Sequence, residues 1–499
     1  MNTKSPKKFS RMKSFFLSIY RSKSFSQYKK EWFLLGICFL FVLLRIPSLI
    51  EPHWYGDEGI YQVIGRSLLS GKVLYRDVWD NKPPLLYIIY ALVNGNLYFV
   101  KLLSLFAGLF STVVFFLLSK KVFRKSYSSY ISTTVFAILF GLPILEGNIA
   151  NAENFMLLPI LTASYLIFSY SEKKKISYII YAGLLLSIAL ITKIVAIFDF
   201  SAFLLFLLFS ERLLISKKNI RMIINFSIPF VSLLAVCFLY FILIGIPKDF
   251  ISAVFLQNVS YVGDQNRFIL PMGVLIIKTI LLLIVVALIW LNRRRLSKPT
   301  LFVYLWIVFG LYNAFFSERP YIHYSLVMLP AFALVVGHLI ENAKFRIIDL
   351  AAIVIISYFA YFHFQIYLRS ASYYNNYLRF ITSKENIVEY EGFFDRNTPR
   401  DYDIANFIGM NVRGNESVFL WSDSAQIYAL SNKLPIGKYL VAYHITFYKN
   451  ADVNTKQQIE KVQPKYIIQT VDVPFVDDIL SSYKLRYIME GAKIYKREI

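Results

Sequence analysis

The chain has 499 residues, of which 57% are hydrophobic, 17% aromatic and only 17% charged, and its mean hydropathy is +0.52. A soluble protein carries about a quarter charged residues, so this composition excludes an ordinary soluble domain. The net charge of +23 does not indicate nucleic-acid binding, because the basic residues lie in short clusters between long apolar blocks. Both cysteines, Cys38 and Cys237, lie in apolar blocks, which predicts neither a disulfide nor a metal–thiolate site.

The N-terminal residues 1–30 are polar and strongly basic, which predicts a cytoplasmic tail rather than a cleaved signal peptide. Beyond this tail, the Lys/Arg clusters mark inner loops, so consecutive clusters must be joined by an even number of membrane crossings. This rule resolves the apolar blocks into eleven predicted spans: 33–50, 97–119, 126–143, 153–171, two short spans within 176–210 that turn near Lys193 to Asp199, 220–245, 271–291, 300–316, 322–341 and 346–367. The short apolar stretch 84–94 is predicted to be an interfacial or re-entrant helix.

Beyond about residue 370 the chain becomes ordinarily polar, which predicts a small α/β domain on the outer face. The strand-like runs are Ser417–Trp421, Lys465–Gln469 and Leu485–Met489, and the helical runs include Asp401–Met410 and Ser424–Leu430. The predicted fold class is therefore an all-α polytopic membrane domain, residues 31–369, followed by an extracytoplasmic α/β domain, residues 370–499.

The polar segment from Trp54 to Leu86 carries the residues of greatest chemical interest. It contains the acidic pair Asp57-Glu58 and, further on, Asp80 and Lys82 before a proline doublet. The predicted topology places other polar residues on the same outer side: Glu146, Asn148, Asn151, Glu153, Arg267, Glu318, Arg319, His323 and Tyr324. This one-sided distribution indicates chemistry at the outer membrane surface.

Each of these features also has a structural interpretation. The proline doublet suits the start of a helix, and Arg319 and His323 can simply solvate a loop at the membrane interface. Lys193 can snorkel from the end of its helix or pair with Asp199. In the outer domain, Trp421, Asp423 and Tyr428 either contact an acceptor glycan or serve the fold, with Trp421 in the strand core and Asp423 capping the next helix.

Taken together, the segments resemble the GT-C fold glycosyltransferases that use polyprenyl-phosphate sugars. The branch in question contains the protein O-mannosyltransferases and the aminoarabinose transferases that modify lipid A. The matching segments cover nearly the whole chain: Asp57-Glu58, YRDVWDNKPPLLYIIYAL, Ala152–Pro159, Glu318–Leu334 and Val418–Pro435. The match is specific for the superfamily but not for a sugar or an acceptor.

The resemblance implies inverting transfer of a sugar from a polyprenyl-phosphate donor to a hydroxyl of an acceptor glycan, lipid or protein. It implies that Asp57 is the general base, that Glu58 orients Asp57 or binds a substrate, and that Lys82 contacts the donor phosphate. It also implies that the donor phosphate is contacted by Arg319 and His323. The implied substrate contacts are Asp80, Glu153, Tyr324 and Arg267. The implied location is the plasma (inner) membrane, with the N-terminus cytoplasmic and the outer domain extracytoplasmic.

No cofactor is predicted, because no His/Asp/Glu cluster has the spacing of metal ligands; the alternative is a divalent ion bridging Glu58 and the donor phosphate. A transporter or flippase of a lipid-linked glycan is the alternative function. Such proteins often contain inverted repeats and polar residues at the membrane midplane, whereas this sequence has no repeat and its polar candidates lie at the outer ends of spans. A third alternative, an idle scaffold for the outer domain, is disfavoured by the intact acidic pair.

Overall fold

A computed structural model describes residues 29–211, 216–259, 273–317, 319–364, 370–472 and 479–498. Within these ranges the chain is mostly helical, with one four-stranded sheet in its C-terminal part. Two residues singled out in the sequence, Arg267 and Glu318, lie outside the described residues. The predicted boundary between the membrane and outer domains also falls beside a range outside them, residues 365–369.

Among the described residues up to 364, helices form in every stretch that the sequence predicts to be a span. In chain order the helices are α1 (Lys29–Arg45), α2 (Gly56–Leu69), α3 (Pro84–Leu92), α4 (Leu97–Val122), α5 (Ser126–Gly141), α6 (Ala152–Lys173), α7 (Ile176–Thr192), α8 (Ile197–Phe209), α9 (Lys217–Leu243), α10 (Pro247–Ile251), α11 (Gly273–Asn292), α12 (Lys298–Ala314), α13 (Leu329–Glu341) and α14 (Arg346–His363). Only α2, α3 and α10 do not correspond to a predicted span.

Seven helical segments among the described residues are long and apolar enough to cross a membrane: Lys29–Ile50, Leu97–Val122, Ala152–Lys173, Lys217–Leu243, Val274–Asn292, Ile322–Glu341 and Ala343–His363. Two shorter apolar helices, Ile176–Thr192 and Ile194–Phe209, occupy the stretch that was predicted to contain two short spans. The chain is therefore a multi-pass membrane protein. The total of eleven crossings and the orientation of the termini stay predictions.

The membrane helices divide into a central and a peripheral group. In α6 and in the segment Ile322–Glu341, 78% and 72% of the most apolar stretch is buried within the protein. The corresponding share is 17%, 11% and 17% in α9, α11 and the segment Ala343–His363. Apolar side chains that stay exposed over whole helices are suited to contact with lipid, so the peripheral group forms the lipid-facing surface.

The C-terminal part forms the predicted α/β domain, called here the outer domain. Its elements are α15 (Ser370–Ile381), α16 (Ile387–Phe394), α17 (Thr398–Asn411), β1 (Val418–Trp421), α18 (Gln426–Leu430), α19 (Ala442–Phe447), α20 (Ala451–Val462), β2 (Tyr466–Gln469), β3 (Tyr483–Met489) and β4 (Ala492–Arg497). The strand order is β1-β2-β4-β3; β1 and β2 are parallel, and the other two pairs are antiparallel.

Strands β1, β2 and β3 lie where the sequence predicts them, whereas β4 was not predicted. In β4 only alternate residues, Ala492 and Ile494, are buried, and lysines lie between and beyond them. The sequence of β4 is therefore mostly polar, although the strand lies between β2 and β3 in the sheet. The β3–β4 turn consists of Glu490 and Gly491, both with positive φ (45° and 85°), which is the backbone of a type I′ hairpin turn.

The outer domain shares an apolar core with the segment between α1 and α4. Polar contacts join the two at several points: the Arg66 guanidinium donates to the Ala429 carbonyl at 2.5 Å, and the Lys72 ammonium to the Pro435 carbonyl at 2.6 Å. The segment between α1 and α4 thus packs against the outer domain, and it carries the acidic pair.

Candidate active site

Asp57 and Glu58 lie in the first turn of α2, where negative charge is favoured by the helix dipole. Successive residues of a helix project about 100° apart, so the two carboxylates point in different directions. The Asp57 side chain is 28% exposed, whereas that of Glu58 is 2% exposed. Of the pair, only Asp57 is open to a substrate.

The Asp57 carboxylate faces Lys82, at 3.8 Å between Oδ2 and Nζ. Lys82 Nζ also lies 3.4 Å from Asp80 Oδ2, and the Tyr61 hydroxyl donates to Asp57 Oδ2 at 3.0 Å. The Tyr87 hydroxyl donates to Asp80 at 2.8 Å and accepts from the Lys82 backbone N–H at 3.1 Å. The Asp80–Lys82 turn is therefore held by hydrogen bonds to the Tyr87 hydroxyl.

These neighbours fix the charges of the pair. Burial raises the pKa of Asp57, but the charges of Lys82 and His323 and the Tyr61 hydrogen bond lower it more, so the pKa lies below its ordinary value. Burial lowers the pKa of Lys82, but Asp57 and Asp80 outweigh burial and raise it. Near neutral pH the site therefore holds a carboxylate beside an ammonium ion.

Glu58 points away from Lys82 into a buried charged cluster. Its Oε2 lies 3.3 Å from Lys101 Nζ, and its Oε1 accepts from the Ala150 N–H at 2.7 Å. Lys101 also pairs with Glu51 at 2.6 Å, and the Tyr373 hydroxyl of α15 donates to Glu51 at 2.5 Å. Burial is the main reason that the pKa of Glu58 is raised. This geometry favours the orienting role among those predicted for Glu58.

A second charged group lies at the start of α6 and around His323. Glu153 and Lys193 form an ion pair, and the Lys193 ammonium lies over the Tyr324 ring at 4.5 Å. His323 Nδ1 is 2.9 Å from Glu146 Oε2, and its Nε2 is 3.9 Å from Glu153 Oε1. A carboxylate thus lies near each ring nitrogen of His323.

Lys193 does not pair with Asp199, which is one of the two structural interpretations drawn from the sequence. Asp199 instead accepts a hydrogen bond from the Trp306 indole at 2.8 Å. The reason is that α7 ends at Thr192 and α8 begins at Ile197, so the intervening turn directs Lys193 toward α6. Lys193 and His323 both lower the pKa of Asp57, and the second group therefore belongs to the same site.

The structure thus brings most of the candidate residues together: Asp57, Asp80, Lys82, Glu153, His323 and Tyr324. Arg319 lies at the edge toward the outer domain, where its charge lowers the pKa of Tyr448. Sequence reasoning missed Lys101 and Glu51. A lysine within an otherwise apolar span is costly to bury alone, and this signal could have identified Lys101.

Two of the outer-domain candidates serve the fold. Trp421 and Tyr428 are 0% and 2% exposed, and the Tyr428 hydroxyl accepts from the Leu420 N–H at 3.0 Å. Their structural interpretation is therefore confirmed. Asp423 does cap a helix, but the predicted helix was wrong: its Oδ1 accepts from the Tyr443 N–H at 3.0 Å, at the start of α19 rather than α18.

The described residues contain no group of three or more His, Cys, Asp or Glu side chains that could hold a metal ion. Glu58, which the metal-dependent alternative would use, faces Lys101 rather than the Lys82 side of the site. The prediction that no cofactor is needed stays a prediction.

No protein-family model matches the chain, and no curated protein matches it. Solved structures do resemble it. ArnT from Cupriavidus metallidurans bound to undecaprenyl phosphate has a TM-score of 0.57 at 13% identity, over 92% of this chain and 97% of ArnT. The Archaeoglobus fulgidus oligosaccharyltransferase in the apo form has a TM-score of 0.51 at 13% identity, over 90% of this chain and 70% of that one. At this identity the likeness is one of fold, and the chain accordingly has the GT-C fold that its sequence predicts.

Proposed function

We propose that the protein is a membrane glycosyltransferase that moves a sugar from a polyprenyl-phosphate donor to a hydroxyl of an acceptor glycan, lipid or protein. The observation that carries this proposal is the partly exposed Asp57 carboxylate 3.8 Å from the Lys82 ammonium. The similarity of fold to ArnT, whose structure holds undecaprenyl phosphate, supports a lipid-linked phosphate as the donor's leaving group. The site is proposed to face the outside of the plasma membrane, with the N-terminus in the cytoplasm.

The reaction needs a base and a positive charge in close proximity. The acceptor hydroxyl gives its proton to Asp57, and its oxygen forms a bond to the anomeric carbon of the donor. The bond between that carbon and the phosphate oxygen breaks, and the electron pair leaves with the polyprenyl phosphate. Lys82 stabilises the charge that develops on the phosphate. One displacement at the anomeric carbon inverts its configuration.

The remaining residues take supporting roles in this proposal. His323 and Arg319 add positive charge for the phosphate, and Asp80 positions Lys82 through their 3.4 Å contact. Glu153 and Tyr324 hold Lys193 and line the substrate side of the second charged group. Glu58 positions Asp57 through its bonds to Lys101 and Ala150. Arg267 keeps its predicted role as a substrate contact, outside the described residues.

The test is Asp57→Asn in the purified protein and in native membranes that supply the acceptor. Donors are undecaprenyl-phosphate sugars with a radiolabelled mannose, arabinose, glucose, galacturonate or N-acetylhexosamine. We expect transfer to fall by about 10²–10⁴-fold, the usual contribution of a general base, while undecaprenyl phosphate still binds. Asp403→Asn, an exposed position of α17, is the matched control.

Two results would contradict the proposal at different levels. Transfer by Asp57→Asn at the wild-type rate would reject Asp57 as the base. Wild-type protein that transfers none of the labelled sugars and binds no undecaprenyl phosphate would reject the glycosyltransferase itself.

A further inference from the structure

The outer domain is seated directly on the helix that carries Asp57. At Gly59 of α2, a Cβ would lie 2.6 Å from the backbone nitrogen of Gln426, and at Gly56 a Cβ would lie 3.9 Å from the Asp423 carbonyl oxygen. Contact this close leaves no room for a side chain at Gly59. The start of α19 is held at the same place, because Asp423 accepts from the Tyr443 N–H.

Helix α19 and the residue after it bring aromatic rings beside the Asp80–Lys82 turn. Trp79, next to Asp80 in the chain, lies 5.0 Å from the His444 ring and 4.3 Å from the Tyr448 ring. The Trp79 N–H donates to the Lys438 carbonyl at 2.9 Å. His444 Nε2 is 3.9 Å from Asp80 Oδ1. One wall of the candidate site is thus built from the outer domain.

Tyr443 is the member of this wall that is open to a ligand. It is 45% exposed, whereas the adjacent His444 is 3% exposed. The pKa of Tyr443 is raised by partial enclosure and then by the charges of Asp57 and Asp80. The Tyr443 hydroxyl therefore lies within electrostatic reach of both carboxylates, while nearly half of the residue stays exposed.

The aromatic rings of the wall carry no charge near neutral pH. Burial lowers the pKa of His444 to about 4, so the ring is neutral at pH 7, and its Nδ1 is buried without a hydrogen-bond partner among the described residues. Asp80 lies 3.4 Å from Lys82 Nζ and 3.9 Å from His444 of the wall. A donor whose phosphate binds Lys82 therefore has its sugar within reach of the wall.

We infer that Tyr443 forms the face on which the donor's sugar ring stacks, and that this sugar is neutral or an amino sugar rather than a uronic acid. The inference rests on the proposed function. The exposed ring offers an apolar face to the C–H groups of a sugar. The charges of Asp57, Asp80 and Asp423 all act on Tyr443, and a sugar carboxylate would add a like charge there. The outer domain thereby takes part in selecting the sugar.

The experiment compares Tyr443→Ala, Tyr443→Phe and wild type in lipid nanodiscs, by native mass spectrometry. The probes are bare undecaprenyl phosphate and matched sugar-bearing donors: glucose with glucuronate, and galactose with galacturonate. Tyr443→Ala should weaken binding of the sugar-bearing donor that wild type binds most tightly, by about tenfold. Binding of bare undecaprenyl phosphate should not change. Tyr443→Phe should retain wild-type affinity, because the ring face is kept. Tyr487→Ala, which removes another exposed tyrosine of the outer domain, is the control.

The outcomes separate this inference from the function on which it rests. Wild type that binds neither bare nor sugar-bearing lipid contradicts the proposed function. Wild type that binds both, with Tyr443→Ala unchanged or equally weakened for both, overturns the stacking role. Tighter binding of the uronate member of either pair overturns the assignment of the sugar class.

Discussion

Replacing Lys101 by methionine tests the buried charged cluster behind the candidate site. Lys101 is fully buried and pairs with Glu51 at 2.6 Å and with Glu58 at 3.3 Å. Methionine nearly preserves the side-chain volume but leaves two buried carboxylates without this cation. Removing one partner of a buried ion pair destabilises a protein by about 3–5 kcal/mol, and we expect a loss of free energy of unfolding in this range.

The loss should depend on pH with a definite sign. The pKa of Glu58 is already raised in the folded protein, chiefly by burial, and it rises further without Lys101. Its carboxyl group then takes up a proton in the folded state as the pH falls. The difference in stability between Lys101→Met and wild type should therefore shrink from pH 8 to pH 5. Adding Glu58→Gln should recover part of the loss, since it removes one uncompensated charge.

The assay is unfolding of the purified protein in detergent micelles, followed by circular dichroism. Leu103→Met on the same helix is the control, because Leu103 is 37% exposed and lies on the outer surface of α4. If Lys101→Met is as stable as Leu103→Met at pH 8, the three charged groups are not ionised and paired as described. The same result would remove the argument that Glu58 positions Asp57.

Two further substitutions test the packing of the outer domain on α2 and the charge of Asp57. Gly59→Ala should destabilise the protein by about 1–3 kcal/mol through overpacking against Gln426, and it should speed proteolysis of the outer domain. The control is Gly409→Ala, where a Cβ meets nothing within 4 Å, and it should do neither. Equal effects of the two substitutions would contradict the close contact at Gly59. Lys82→Met should raise the pKa of Asp57, because Lys82 is the main group that lowers it. Residual transfer needs the ionised Asp57 carboxylate. On acidification, the transfer rate of the variant should therefore fall at a higher pH than that of wild type. If the acidic side of the pH–rate profile does not shift, Lys82 does not set the pKa of Asp57 as described.

The helices and most strands could be predicted because their requirements are local. A span needs an uninterrupted apolar block, and the block at 97–119 becomes the helix Leu97–Val122. The turn near Lys193 could be predicted because the apolar stretch 176–210 begins and ends beside basic clusters. Such a stretch is expected to cross the membrane twice and to turn in between. The hairpin strand β4 was missed because only two of its residues, Ala492 and Ile494, are buried, and three of the other four are Lys or Arg.

The site could be predicted only in part, because its contacts are distant in sequence. Glu153 and Lys193 are 40 residues apart, whereas the one partner that the sequence offered for Lys193, Asp199, bonds Trp306 instead. The pair Asp57-Glu58 reads as one feature, but helix geometry separates it into an exposed and a buried carboxylate. No local sequence feature identifies Tyr443, because its position near Asp57 depends on how the outer domain packs on α2.

The contact between Arg66 and Ala429 joins residues 363 positions apart. At a synthesis rate of about 5–20 residues per second, on the order of 20 to 70 s pass between the emergence of these two residues from the ribosome. Throughout that interval the segment bearing Asp57 lacks the apolar surface that the outer domain contributes to their shared core. Assembly of the candidate site must therefore be among the last events in the biogenesis of this protein, and a chain terminated before β1 would insert its helices without completing the site.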